Sequence, residues 1–142
     1  MTAAPRRTRR PSLAGLRELA AQATKARLKA SAPFSRFKVG AALRTRAGDV
    51  ITGCNVENAS YGLTMCAERV AIFKAISEGQ RDFDAVAVVA DSPRLTAPCG
   101  ACRQLLWEFG GDLWVHIVDL RGHSRTVRMS DLLPLPFDAR NL

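Results

Sequence analysis

Two short cysteine patterns constrain this chain more than any other feature. Cys66-Ala67-Glu68 sets a thiol two residues before a carboxylate, and Pro98-Cys99-Gly100-Ala101-Cys102 follows about thirty residues on. Three thiolates can hold one Zn²⁺ and leave its fourth position open to water. A carboxylate that is not a ligand can then move protons to and from that water. Any fold that uses both patterns must bring them to one point. A lone Cys-x-x-Cys is weak evidence. The Cys-x-Glu and Pro-Cys-x-x-Cys halves, together and in this order, are specific.

Periodicity places both patterns near helix starts. Thr64 can cap a helix running to Glu78, with Gly79 past its end. Cys66, Val70 and Phe73 then share one stripe. Glu68 projects from a different side, so it and Cys66 can address one atom only off the helix's N-terminal tip. The dipole and unpaired N–H groups at that tip favour a thiolate. Pro98 suits the first position of a later helix, where its missing N–H costs nothing. Cys99 and Cys102 are then neighbours in its first turn, and the helix continues to about Phe109.

The remaining chain supplies a scaffold. Residues 1–11 hold Arg6, Arg7, Arg9 and Arg10, two prolines and almost nothing to bury, and read as a disordered arm. Ser12 can cap a helix through about Ala30, with Leu13, Leu16, Ala20, Ala23 and Leu28 as its apolar stripe. Residues 37–44 and 50–56 predict a hairpin around Ala47-Gly48-Asp49. Residues 83–90 form an unbroken apolar run, the mark of a strand buried on both faces. Residues 113–118 and 125–128 predict two more strands, and Ser130 can cap a helical turn through Leu133. Helix–strand alternation around a buried strand predicts an α/β fold, a sheet covered by helices on both faces. One domain is expected over residues 12–142, with residues 1–11 appended.

The net charge of +8 is unevenly placed. Residues 1–29 carry a net +7 and residues 30–142 a net +1. A body near neutrality is poorly matched to a long polyanion, whose binding draws on many phosphate contacts. Nucleic acid is therefore not the expected partner. No apolar run approaches the roughly 18 residues of a membrane span. Four cysteines without a secretory signal read as thiols or metal ligands in a cytoplasmic protein. A closed structural Cys₄ site that included Cys54 is the plainer alternative. However, Cys54 lies in a predicted strand at a spacing from Cys66 that fits no compact zinc knuckle. His116 and His123 have no ligand-like spacing to the cysteines.

Several motifs together resemble the small, homotetrameric type of cytidine deaminase. They are Phe34-Ser35-Arg36-Phe37-Lys38-Val39-Gly40-Ala41-Ala42, Asn55-Val56-Glu57-Asn58-Ala59-Ser60-Tyr61, Cys66-Ala67-Glu68-Arg69, Pro98-Cys99-Gly100-Ala101-Cys102-Arg103-Gln104, and Leu132-Leu133-Pro134 with Phe137. The likeness runs from about residue 12 to the end and leaves out the arginine-rich arm. It implies a three-layer α/β/α sandwich around a mixed five-stranded sheet. It implies one Zn²⁺ per chain on Cys66, Cys99 and Cys102, with Glu68 as proton shuttle. It matches Asn55 and Glu57 to residues that hold the ribose, with Val56 lining that pocket, and Phe37 to an aromatic against the base. Backbone groups at Cys66 and Ala67 would meet the pyrimidine edge. Tyr61 and Phe137 match residues that reach a neighbouring subunit's site, so active sites would be shared in a homotetramer. Arg69 beside three thiolates would offset their charge, since Zn²⁺ with three thiolates carries a net −1. The implied reaction is hydrolytic deamination of cytidine and deoxycytidine to uridine and deoxyuridine, with release of ammonia, in pyrimidine salvage. The alternatives are a deaminase of another cytosine-containing small molecule, such as a nucleoside antibiotic, and a zinc-stabilised nucleic-acid-binding protein.

Overall fold

The computed structural model describes residues 7–142. Its elements, in order, are α1 (Leu13–Arg27), β1 (Val39–Thr45), β2 (Val50–Cys54), a 3₁₀ turn (Tyr61–Leu63), α2 (Ala67–Ser77), β3 (Phe83–Ala90), α3 (Gly100–Gly110), β4 (Trp114–Val118), β5 (Ser124–Arg128), α4 (Met129–Leu132) and a second 3₁₀ turn (Ala139–Asn141). The strands form one sheet in the order β2-β1-β3-β4-β5. Only β3 and β4 run parallel, and the other three pairings are antiparallel. The expected three layers around a mixed five-stranded sheet are present.

The apolar run does become the central strand. From Ala85 on its residues alternate between two cores, as a strand's side chains must, while Phe83 lies beyond a register shift against β1. Ala85, Ala87 and Val89 pack with Leu19, Ala23 and Ala42 under α1. Phe83, Val86, Val88 and Ala90 join Ala71, Ile72 and Leu106 on the opposite side, under α2 and α3. Burying each such valine contributes roughly 1.5–3 kcal/mol. Two glycines let the helices sit directly on the strands. A Cβ on Gly40 would stand 1.9 Å from the Ala23 carbonyl of α1. One on Gly53 would stand 2.5 Å from the Ala67 carbonyl and 2.6 Å from the Ala71 nitrogen of α2. Glycine within a strand is a sign of this close approach.

Several sequence expectations need correction at element ends. Helix α1 stops at Arg27, short of Ala30. Its buried stripe is Leu16, Leu19, Ala23 and Ala26, while Leu13 and Leu28 are exposed. The N-cap of α2 is Cys66, not Thr64. The N-cap of α3 is Cys99, which puts Pro98 one residue ahead of the helix. On α2 the buried residues are Ala67, Glu68, Ala71, Ile72 and Ala75, and Phe73 faces out. The residue ahead of α4 is Arg128, whose N–H donates to Asp131 at 2.9 Å, so Ser130 lies within the turn.

The arm differs most from its expectation. Residues 1–6 lie outside the described residues, and residues 7–11 rest against the sheet. Thr8 is buried, with its hydroxyl donating to the Asp84 carbonyl at 3.3 Å. Its own carbonyl accepts from the Trp114 indole at 3.2 Å and from Arg128 at 3.1 Å. The guanidinium groups of Arg10 and Arg128 both stand over the Trp114 ring, 5.4 and 4.2 Å from its centroid. Main-chain contacts of this sort leave no trace in composition, which is why the segment reads as unstructured.

Candidate active site

The two cysteine patterns meet where α2 and α3 begin. Cys66 and Cys99 are both N-caps, and Cys102 follows in the first turn of α3. Gly53 seats the start of α2 on β2, and the chain leaving β3 delivers Pro98 and Cys99 beside it. The three sulfurs all lie within 4.8 Å of one another. Tetrahedral Zn²⁺ with bonds of about 2.3 Å requires sulfurs about 3.8 Å apart. Cys66 and Cys99 are 3.9 Å apart. Cys102 is buried, Cys66 partly so, and Cys99 exposed, so the cluster can be reached from outside. Cys54 is not part of it.

Charge favours a cation here. The Cys66 thiol is held down to about 5, first by its hydrogen bond with Cys102 and then by Arg69 and Cys99. Cys102 is pushed up by that same shared bond, by burial and by Glu68. The cluster therefore gives up one proton readily and resists losing the next. A divalent cation removes that resistance. Arg69 donates to the Cys66 sulfur at 3.6 Å and to the Thr64 carbonyl at 3.2 Å. Its Nε is buried without a partner among the described residues, which leaves one N–H for a further acceptor. The residues present thus fit a zinc ion in charge, donor type and spacing.

Glu68 is 4 % exposed. Burial, and then the Cys66 charge, raise its carboxyl above the usual range, against partial opposition from its own backbone N–H and Cys102. It faces a cavity of about 270 Å³ that Phe37, Val39, Asn55, Glu57, Cys66, Ala67, Val88, Thr96 and Cys99 also line. A carboxyl raised by burial beside an open ligand position suits proton transfer near neutral pH.

The other expected residues divide into three groups. Phe37, Asn55, Glu57 and Ala67 line the same cavity as Glu68. Asn55 is already engaged, since its amide donates to the Phe37 carbonyl and accepts from the Val39 N–H, each at 2.8 Å. One N–H and one lone pair remain for a ligand. Glu57 accepts from the Phe34 N–H at 2.8 Å and from the Ser35 N–H and hydroxyl. The Ser35 hydroxyl, then those backbone donors, hold its carboxyl below the usual range despite some burial. Val56, expected to line the pocket, lines neither this cavity nor the adjoining hollow; it forms single bridges with Ser31 and Met65 and is half exposed. Tyr61 is exposed, stacks edge-on with Phe34 at 6.2 Å, and lines an adjoining hollow with Glu57. Phe137 is exposed too and lines neither cavity. His116 bonds Thr126 and His123 bonds Asp119, both away from the cysteines.

Ser35, Thr64 and Thr96 also line the cavity, and the sequence assigned none of them to the site, Thr64 being expected only as a helix cap. Ser35 was within reach, because it sits in the quoted stretch before β1. Thr64 holds the preceding loop, its hydroxyl accepting from the Asn58 N–H at 3.1 Å. Thr96 carried no signal.

Comparisons with known proteins agree with this geometry. A family model of the cytidine and deoxycytidylate deaminase zinc-binding region matches residues 15–117. A cytidine deaminase of Halalkalibacterium halodurans is 52% identical over 122 residues, 85% of this chain and 92% of that protein. One of Sporosarcina psychrophila is 46% identical over 126 residues, 88% of this chain and 93% of that protein. The crystal structure of cytidine deaminase from Burkholderia pseudomallei superposes with a TM-score of 0.83 at 51% identity, covering 85% of this chain and 98% of that one. Fold, thiol cluster and buried glutamate thus converge with these matches, and the chain belongs to the zinc-binding cytidine deaminase family.

Proposed function

We propose that the chain hydrolyses cytidine and deoxycytidine to uridine and deoxyuridine and releases ammonia. The observation that carries this reading is the buried Glu68 beside three thiols in a cavity of about 270 Å³. Cys66, Cys99 and Cys102 would hold one Zn²⁺, which when bound supplies the Lewis acid that makes water nucleophilic near neutral pH. Glu68 takes a proton from that water and gives one to N3 of the cytosine as C4 is attacked. It then takes the proton left on the attacking oxygen and delivers it to the exocyclic nitrogen; the C4–N bond breaks as the C4 carbonyl forms, and ammonia leaves. Its raised carboxyl suits both the taking and the giving.

Phe37 packs against the base, and Ala67 with Cys66 offers backbone groups to the pyrimidine edge. Asn55 and Glu57, with Val56 beside them, take the ribose hydroxyls. Arg69 offsets the thiolate charge. The main body over residues 12–142 acts as one catalytic domain. The assembly is a homotetramer in which Tyr61 and Phe137 complete a neighbour's site, consistent with their exposure of 77% and 61%. The setting is pyrimidine salvage in the cytoplasm. No helix among the described residues is long and apolar enough to cross a membrane.

The test is the loss of cytosine absorbance on mixing purified protein with cytidine, and separately with deoxycytidine, with zinc quantified in the same sample. Turnover with about one zinc per chain is expected. One zinc per chain without turnover of either nucleoside overturns the substrate assignment. Sedimentation at four times the chain mass is expected, and an active monomer overturns the shared site.

A further inference from the structure

The Pro98 carbonyl lies just ahead of α3, so no helix hydrogen bond uses it. Pro98 is fully buried, and an unpaired buried carbonyl is costly. Arg103 meets that need from one turn inside the helix. Its Nε donates to the Pro98 carbonyl at 2.7 Å, and its Nη1 donates to the Leu132 carbonyl at 3.0 Å. Its backbone N–H donates to the Cys99 carbonyl at 2.9 Å. One side chain thus ties the residue before Cys99 to α4, across 29 residues of sequence.

The same face of α3 holds the rest of the C-terminal segment. Gln104 donates to the Phe137 carbonyl at 2.7 Å, and the Trp107 indole donates to Asp138 at 2.9 Å. These two contacts sit further along the segment and touch no residue beside a thiol. Arg103 alone of the three reaches the turn that carries Cys99.

We infer that Arg103 is a positioning residue: it fixes the Pro98-Cys99 peptide against α4 and so sets where the Cys99 sulfur stands relative to Cys66 and Cys102. This rests on the reading of the thiol cluster as a zinc site. Loosening an outer group that orients a ligand typically weakens metal binding 10–100-fold. Arginine is required because two separate nitrogens serve two carbonyls. A lysine keeps the charge but offers a single nitrogen.

The test is zinc affinity by competition with a chelator, in the full chain and in Arg103→Gln, Arg103→Lys and Trp107→Phe. Thermal unfolding of each variant is measured in parallel. The expected result is a Kd for zinc raised about 10–100-fold in Arg103→Gln, with Arg103→Lys closer to the glutamine variant than to the native chain. Trp107→Phe loses the Asp138 bond, so its unfolding temperature falls while its zinc affinity stays native. A zinc Kd within about twofold of native in the Arg103 variants overturns the proposal, as does equal weakening in Trp107→Phe. If Arg103→Gln does not fold, Arg103→Lys alone carries the comparison, and native affinity in it overturns the positional role. A native chain that binds no zinc overturns the metal reading beneath the proposal, an outcome distinct from the others.

Discussion

Glu68 gains its chemistry from where α2 begins. As the second residue of the helix it belongs to a turn whose N–H groups would stabilise a carboxylate. Burial outweighs this and raises the carboxyl instead. Glu68→Gln keeps the size and burial of the side chain and removes its ability to accept and return a proton. Zinc content and unfolding temperature should stay native, while turnover falls by at least about 10²–10⁴-fold. Retained turnover in a variant with full zinc would remove Glu68 from the proton path. A different carboxylate, Asp119, contributes to stability in acid. Burial pushes Asp119 up, but the His123 side chain and the Arg121 and His123 N–H groups outweigh it and bring it from 3.8 to about 2. The folded state therefore binds this proton less tightly than the unfolded one. Its contribution is fully present above about pH 4 and is lost as pH falls toward 2. Asp119→Asn should flatten the stability curve across that window, as followed by circular dichroism. An unchanged acid limb would show that Asp119 does not set it.

At the scale of elements, the site is two helix starts pressed onto one sheet. The apolar pattern of residues 83–90 was plain in sequence, and it fixed the centre of the sheet. The cysteine spacing was plain too, and it named the cluster. The caps were not legible, because Thr64 and Pro98 match ordinary N-terminal preferences better than any cysteine does. Cys66 and Cys99 take those positions where the thiols converge. The stripe of α1 was misread for a related reason. Leu13 and Leu28 are apolar, but on a helix both lie well off the line through Leu16, Leu19, Ala23 and Ala26, and Leu28 already follows the last helical residue. Gly53 offered a signal that sequence reading passed over, since a glycine inside a strand often marks a backbone approaching closely. Gly53→Ala tests how much the site depends on that approach. The new Cβ would meet backbone atoms at 2.5 and 2.6 Å, so α2 has to move outward. A cost of about 1–3 kcal/mol is expected, on the order of 3–10 °C in unfolding temperature. Turnover should fall further than stability alone explains, because Cys66 and Glu68 move with the helix. Native turnover at saturating substrate would show that the start of α2 tolerates displacement.

For the whole molecule, the uneven charge takes on a structural meaning. The sequence concentrates positive charge before residue 30, which composition alone would assign to a solvated tail. In the fold, Arg7 lies 3.7 Å from the buried Asp112, and Arg10 stands over Trp114. Helix α1 covers mainly β1 and β3, and residues 7–11 run beside it toward β4 and β5. The segment thus acts as a strap on the half of the sheet that α1 covers least, opposite the face that carries the thiols. Thr8 makes three hydrogen bonds there, each worth about 1 kcal/mol net. Deleting residues 1–11 should lower the unfolding temperature by several degrees and change the emission of Trp114, which loses both its acceptor and one stacked guanidinium. Turnover of cytidine at a temperature well below unfolding should stay native, because none of residues 7–11 lines the cavity. The same deletion separates the strap from a nucleic-acid contact. A polynucleotide-binding arm predicts affinity that falls steeply with salt and vanishes on deletion, with stability unchanged. A strap predicts the opposite pair of results, and an unfolding temperature unaffected by the deletion would rule it out.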